Sequence, residues 1–171
     1  MHYPNAEIIA VEADPDNSAL LKGSFCSDPL TTIIEGAVWK EDTELILSKH
    51  EGGNPEASSV SADGIGGKRI EAYSIPSLMR QRGWKTIDIL KLDIEGAEYD
   101  LFSRNVEWLD SVNSIVFEVP DSERPGTLQL ILEKLKHSAW TGSSCGENLV
   151  LIRQSLPWKS MPVIGIRSSG D

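Results

Sequence analysis

Cysteine and histidine are scarce in this chain. Its 171 residues include two cysteines, Cys26 and Cys145, and three histidines, with no CxxC pair, HxxxH pair or other Cys/His cluster. This spacing supports neither a zinc site nor a disulfide framework. The one GxSxG match, GSSCG at 142–146, has no predicted strand directly before it and no predicted helix after it, as a nucleophile elbow requires. We therefore expect no zinc centre and no machinery for nucleophilic hydrolysis.

Long apolar runs and an excess of positive charge are missing as well. No apolar stretch approaches the roughly 20 residues that span a bilayer, and the first residues lack the basic start and cleavage site of a signal peptide. With 26 acidic against 16 basic residues, the net charge is -10. Such a charge repels phosphate backbones and anionic membranes. We expect a cytoplasmic protein that binds neither nucleic acid nor membrane.

The sequence does contain the pattern of one α/β domain. Short apolar runs predict strands at 6–14, 31–39, 43–49, 68–75, 87–93, 113–119 and 148–153. Capping signals and helical spacing predict helices over 14–23, 75–83, 97–109 and 128–135, whereas the Gly, Ser and Asn-rich stretch 50–67 predicts a mobile loop. This alternation predicts a doubly wound, mostly parallel sheet covered on both sides. We expect the domain to occupy residues 1–155, followed by a loosely ordered tail at 156–171.

The stretch ILKLDIEGAEYDLF, residues 89–102, places carboxylates where a strand ends and a helix begins. In α/β sheets, ligands bind at the carboxyl ends of the strands. Three carboxylates lie in this stretch: Asp93, Glu95 and Glu98. They could bind a divalent cation, accept a proton, or simply make the end of the strand negatively charged. Glu98 also suits a helix N-terminus. Lys91, in an otherwise apolar strand, needs a neighbouring carboxylate as partner.

Glu12 ends the first predicted strand. A carboxylate at this place accepts hydrogen bonds from the vicinal hydroxyls of a ribose, so it suits any adenosine-containing cofactor, nicotinamide dinucleotides included. An acid after a strand is more often a solvated turn or a helix cap. We interpret the nearby Asp14, which precedes Pro15, as such a cap. The residues alone leave the role of Glu12 open.

Taken in order, these segments resemble the FkbM family of S-adenosylmethionine-dependent methyltransferases. The run IDILKLDIEGAEYDLF resembles the family's signature, and IIAVEADPDN, IEGAVW, the SSV at 58–60 and NSIVFEV fall in the family's order. The similarity covers residues 6 to about 153. It implies a Rossmann-like class I methyltransferase fold that uses S-adenosylmethionine, with a hydroxyl of a sugar or another small or natural-product molecule as acceptor.

The resemblance also implies how the cofactor is held. Glu12 would bind the ribose of S-adenosylmethionine. Ala37 and Val38, after the third family strand, would flank the adenine. Asp93 would lie beside the methionine end and the transferred methyl. We assign no metal ligands.

A hydroxyl acceptor needs a base to remove its proton. Asp93, Glu95 and Glu118 are the three candidates for this base, and the sequence does not choose among them. The acceptor itself is expected to be a small molecule or a glycan. Its pocket is expected to be built from variable loops such as 50–67.

One family feature is not found before Ala6. Members of the family begin with an apolar strand and a glycine-rich loop of the type Asp-x-Gly-Ala-x-x-Gly, and only five residues precede Ala6 here. We expect half of the cofactor site to be missing, and the strands at 6–12 and 87–93 to expose unpaired edges or to pair with each other. Marginal stability or self-association through these edges would follow. A catalytically silent binding domain is the alternative function.

Overall fold

The structure, a computed structural model, describes residues 5–49, 58–62, 67–94, 96–118, 124–136, 138–146 and 148–154. The strands in these ranges are Ile8–Glu12 (β1), Thr31–Glu35 (β2), Ala37–Val38 (β3), Thr43–Lys49 (β4), Ser58–Ser61 (β5), Lys68–Tyr73 (β6), Leu90–Leu92 (β7), Ser114–Glu118 (β8), Trp140–Cys145 (β9) and Asn148–Arg153 (β10). The helices are Pro15–Ser24 (α1), Ile75–Arg82 (α2), Glu98–Ser103 (α3) and Thr127–Leu135 (α4), with a 3-10 helix at Glu107–Ser111. The predicted tail at 156–171 lies outside the described residues. None of the described helices has the length and apolar character needed to cross a membrane.

The strands form three sheets within the described ranges. Their orders are β1-β2, β3-β6-β4-β5 and β7-β8-β10-β9. The pairs β1–β2, β3–β6 and β7–β8 are parallel, whereas β4 and β10 pair antiparallel with both of their neighbours. The α/β class is therefore confirmed, but the prediction of one mostly parallel sheet is wrong for this part of the chain. The connection from β9 to β10 is too short for the crossover that parallel strands need.

Two helices begin where the sequence predicts. The Asp14 carboxylate accepts hydrogen bonds from two N–H groups in the first turn of α1, at 2.8 and 3.3 Å. The Ser74 hydroxyl accepts one at the start of α2, at 3.3 Å, and Gly83 ends that helix in the left-handed conformation with φ 69°. In α1, by contrast, the helix continues through Gly23 to Ser24. A glycine without a left-handed conformation does not end a helix.

The run 31–39, predicted as one strand, is split at Gly36. Gly36 has φ 156°, and a Cβ there would lie 2.6 Å from the carbonyl oxygen of Glu71 and 2.8 Å from the ring of Tyr73. Only glycine allows this approach of two backbones. The chain therefore passes from β2, which pairs with β1, to β3, which pairs with β6.

Other differences concern the helix predicted over 97–109 and two strands without a clear apolar period. The helix predicted to reach Leu109 ends at Ser103, and a 3-10 helix follows after Asn105, which has a positive φ of 53°. Asparagine adopts this left-handed conformation more readily than other side chains. β5 lies inside the predicted loop 50–67, and β9 was not predicted. Both strands are rich in serine and lack alternating apolar residues.

Two hydrophobic cores hold the elements together. The larger surrounds β7, β8 and β10 and consists of Ile75, Met79, Leu92, Leu101, Phe102, Trp108, Leu109, Val112, Ile115, Phe117, Ile131, Leu135 and Leu151. The smaller consists of Ala37, Trp39, Leu45, Leu47, Ile70, Ala72 and Ala97. Ala13, which follows β1, and Ile94, which follows β7, both pack against the smaller core. The carboxyl ends of β1 and β7 are therefore held close to one another.

Candidate functional site

The predicted carboxylates lie at the carboxyl ends of three strands. Glu12 is the last residue of β1 and Glu118 the last of β8. Leu92 of β7 is paired with Phe117 of β8, so Asp93 and Glu118 each follow a member of the same pair. We call Glu12, Asp93 and Glu118 the strand-end carboxylates.

Glu12 is half-buried and already holds the chain in place. Its Oε1 accepts a hydrogen bond from the N–H of Asp14 at 2.8 Å, and its backbone carbonyl accepts one from the N–H of Gly36 at 2.9 Å. Within the described residues, Oε2 of Glu12 takes part in no hydrogen bond. The carboxylate therefore keeps an oxygen for a ligand.

Ala37 and Val38 follow Gly36 and are thereby brought next to Glu12. Ala37 is only 5% exposed and belongs to the smaller core, while Val38 packs against the larger core. The structure brings the residues predicted to bind ribose and adenine together. It also gives the two small side chains a packing role.

Asp93 is exposed, and its Oδ2 lies 3.2 Å from the ammonium nitrogen of Lys91. The prediction that Lys91 pairs with a nearby carboxylate is confirmed, although Lys91 is not buried. Glu118 is exposed as well, whereas Glu95 lies outside the described residues. Among the residues that the structure describes, no three His, Cys, Asp or Glu side chains group as a metal site.

Glu98 closes the turn that follows Asp93. It is only 4% exposed, and its carboxylate accepts hydrogen bonds from the N–H groups of Ile94 at 3.1 Å and Gly96 at 3.0 Å. Gly96 supplies the left-handed conformation that the turn needs, with φ 88°. The sequence predicted only a favourable helix position for Glu98. Its real contacts fix the backbone between β7 and α3.

A charged bridge beside this turn was not predicted. The Asp100 carboxylate contacts Lys40 at 3.5 Å and Arg124 at 2.8 Å. The guanidinium of Arg124 also lies 3.7 Å from the centre of the Tyr99 ring. Asp100 thus joins the segment after β3 to the segment before α4 through α3. No sequence signal links three residues so far apart along the chain.

Tyr73 packs its ring over Gly36, close to Glu12. Burial is the main cause that raises the pKa of the Tyr73 phenol, and the hydrogen bond with the Glu71 carboxylate raises this pKa further. The hydroxyl lies 3.1 Å from Oε2 of Glu71. It therefore stays protonated at neutral pH and donates to Glu71.

Comparison with known proteins gives a match to a family model. A family model described as the methyltransferase FkbM domain matches residues 3–138, which is 136 of the 171 residues. The matched range includes the strand-end carboxylates and Glu98. No curated protein and no solved structure matches the chain.

Proposed function

Because this chain belongs to the FkbM methyltransferase domain family, we propose that it transfers the methyl group of S-adenosylmethionine to a hydroxyl oxygen. The acceptor is a sugar or another small or natural-product molecule. The observation that carries this proposal is the position of Glu12 beside Gly36 and Ala37, with Asp93 following the parallel strand β7. Ligands of α/β sheets bind at this end of the strands.

The residues at the end of β1 fit the ribose half of the cofactor. A half-buried carboxylate with one unbonded oxygen suits a pair of vicinal hydroxyls, so Glu12 would hold the ribose. Ala37 and Val38 would lie along the adenine, and Asp93 would face the methionine end. When bound, S-adenosylmethionine supplies an electrophilic methyl group on a sulfonium centre.

The residues at the ends of β7 and β8 supply candidates for the base. Oδ2 of Asp93 contacts Lys91, which leaves Oδ1 to accept the proton of an acceptor hydroxyl. Glu118 is the second candidate because it ends the neighbouring strand. Glu95 is the third, and it lies outside the described residues. Holding the hydroxyl in line with the methyl group is the larger part of the task.

Calorimetric titration with S-adenosylmethionine tests this proposal. Glu12→Gln removes the charge and is expected to weaken binding about 10- to 100-fold, since a hydrogen bond to a charged group contributes roughly 1.5–3 kcal/mol. Glu107→Gln, an exposed carboxylate on the 3-10 helix, is the matched control and should bind like the parent. The same titrations are made on a chain extended at residue 1 by a family-type strand and glycine loop. Absence of binding to both parent chains would reject the proposal.

A catalytically silent binding domain is the second candidate. It is favoured by one observation, that β1 and β7 pair on one edge only within the described residues. A strand between them would normally carry the glycine loop of the family. Tight binding of S-adenosylmethionine by residues 1–171 alone would refute this candidate.

A further inference from the structure

The Asp100 carboxylate is shared by two cations. Nζ of Lys40 lies 3.5 Å from its Oδ1, and Nη1 of Arg124 lies 2.8 Å from its Oδ2. The guanidinium carbon of Arg124 also lies 3.7 Å from the centre of the Tyr99 ring, and the Lys40 ammonium lies 5.3 Å from that of Trp39. Because an aromatic face attracts a cation, these contacts hold both cations in place before any ligand binds. We call Lys40, Asp100 and Arg124 the charged bridge.

The charges of the charged bridge do not cancel. One carboxylate faces two cations, so the bridge keeps a positive charge in a chain whose net charge is -10. Among the residues that the structure describes, Nε and Nη2 of Arg124 have no hydrogen-bond partner, and this side chain is 46% exposed. A guanidinium presents its N–H donors as a planar fork that fits a carboxylate or a phosphate. The charged bridge can therefore take up an anionic group from the solvent.

A second carboxylate with two cations shows how the charged bridge differs from an ordinary surface cluster. Glu35 contacts Lys22 at 3.2 Å and Lys68 at 3.3 Å. The two lysine side chains are 49% and 56% exposed, and neither ammonium contacts an aromatic ring within the described residues. In the charged bridge, the side chains of Lys40 and Asp100 are only 23% and 26% exposed. Because solvent and salt screen exposed charges more than partly buried ones, the charged bridge attracts an anion more strongly.

Each residue of the charged bridge follows the carboxyl end of a strand. Lys40 comes shortly after β3, Asp100 is on α3 after β7, and Arg124 lies between β8 and α4. In α/β sheets, ligands bind at these ends of the strands. The charged bridge therefore lies at the end of the strands that carries the candidate site.

The turn after β7 keeps Asp100 close to that end. The N–H of Ala97 donates to the carbonyl of Ile94 at 3.1 Å, and the helical hydrogen bonds begin at the carbonyl of Ala97. The first and last residues of such a turn lie within about 7 Å, and residues three apart on a helix lie about 5–6 Å apart. Asp100 is therefore within roughly 12 Å of Ile94, the residue that follows Asp93. A ligand that reaches Asp93 can extend to the charged bridge.

We propose that the charged bridge binds an anionic group of the methyl acceptor, a carboxylate or a phosphate carried by a sugar. This inference rests on the proposed function, which assigns methyl transfer to the ends of β1 and β7. The anion lies between the ammonium of Lys40 and the open side of the Arg124 fork, while Asp100 keeps the two cations together. The charged bridge thus selects acidic sugars against neutral ones.

S-adenosylmethionine also carries a carboxylate, at its methionine end. Lys40 follows Ala37 and Val38 closely along the chain, and the proposed function assigns these two residues to the adenine, at the opposite end of the cofactor. The acceptor is therefore the better source of the anion. Titrations with sugars and with the cofactor distinguish the two sources.

NMR titrations of the full chain, without S-adenosylmethionine, test the charge selection. The probes are glucuronate, glucose 6-phosphate and neutral glucose at one ionic strength, and the signals followed are the side-chain Nε–H of Arg124 and the backbone amide of Tyr99. We expect both acidic sugars to shift these signals saturably, and glucose to leave them unchanged. Lys40→Gln and Arg124→Gln should each weaken binding of the acidic sugars about tenfold, because each removes a charged hydrogen bond to the anion. Lys68→Gln, which removes one of the two cations at Glu35, is the matched control and should bind like the parent.

Three results would overturn the proposal. The first is a parent chain whose signals do not respond to either acidic sugar, or respond equally to glucose. The second is a response to S-adenosylmethionine alone, which would assign the anion to the cofactor. The third is parent-like binding by Lys40→Gln, or a loss in Lys68→Gln as large as that in Lys40→Gln. Lys40→Gln leaves the shorter ion pair of Arg124 with Asp100 in place, so it decides the question even if Arg124→Gln fails to fold.

The cofactor is absent from the sugar titrations. Their outcome is therefore independent of the calorimetric titration with S-adenosylmethionine that tests the proposed function. A chain that binds the cofactor but no acidic sugar would keep the proposed function and lose the anion site.

Discussion

Glu98 offers the sharpest test of how the turn after β7 is built. Its buried carboxylate accepts the N–H groups of Ile94 and Gly96 and leaves neither donor without a partner. Glu98→Gln keeps the shape of the side chain but removes the charge. The amide has one acceptor oxygen, so its NH2 group must face one of the two N–H donors. One hydrogen bond is therefore lost, and the other is made to a neutral amide oxygen instead of a charged carboxylate.

The expected cost follows from these two bonds. A hydrogen bond to a charged group contributes about 1.5–3 kcal/mol and a neutral one about 1 kcal/mol, and a buried donor left unpaired costs about 1–3 kcal/mol. The free energy of unfolding should therefore fall by roughly 3 kcal/mol in Glu98→Gln. For a chain of this length, about 2–4 °C of Tm corresponds to each kcal/mol, which gives a decrease of roughly 6–12 °C.

Urea denaturation and calorimetry measure this loss. Glu107→Gln is the control, because Glu107 is exposed and its substitution should stay within about 0.5 kcal/mol of the parent. If Glu98→Gln also stays within about 0.5 kcal/mol, the two hydrogen bonds do not hold the turn and the reasoning is refuted.

Three further predictions concern stability and can be measured by denaturation. Gly36→Ala should lower the free energy of unfolding by about 3 kcal/mol, because the new methyl group adds backbone strain and contacts a carbonyl of β6. Gly23→Ala, in open space within α1, should raise the free energy of unfolding by about 0.5–1 kcal/mol. Equal effects of the two substitutions would contradict the close approach at Gly36. Burial alone raises the pKa of Asp42, but hydrogen bonds from the N–H and hydroxyl of Ser74 outweigh it and lower the pKa below its ordinary 3.8. That stabilisation is complete well above pH 3.8 and is lost as the pH falls towards the depressed value, so Asp42→Asn should flatten the acid limb of a stability–pH curve, and an unchanged limb would contradict this. Phe102→Ala, in the larger core, should lower the free energy of unfolding by about 3–5 kcal/mol. A decrease below about 1 kcal/mol would contradict this, because it would mean that neighbouring side chains fill the cavity left by the ring.

Local features of the fold could be predicted from the sequence. The caps at Asp14 and Ser74, the glycine that ends α2, and most strands follow from short-range patterns that neighbouring residues complete by themselves. The strand-end carboxylates and the pairing of Lys91 with Asp93 were accessible for the same reason, since they lie within or directly after one strand. The family signature at 87–102 belongs to this local information as well.

The candidate site also depends on contacts that no local pattern contains. Glu98 accepts hydrogen bonds from N–H groups two and four residues before it, and these N–H groups point towards its carboxylate only once the turn at Gly96 has formed. The bridge from Asp100 to Lys40 and Arg124 joins residues 60 and 24 positions apart. Such pairs form because the strands and helices have already been packed, so the sequence offered no signal for them.

The sequence by itself determined where most strands and helices form, and it placed acidic residues at the strand ends. Only the tertiary structure decided which strands pair and in which direction. Gly36 divides one apolar run between two sheets because the backbone of β6 comes too close for a side chain. β4 and β10 run antiparallel to their neighbours, so two of the three sheets are mixed rather than parallel. Apolar periodicity reports which residues are buried, whereas strand partners are set by long-range packing of backbones that the periodicity does not encode.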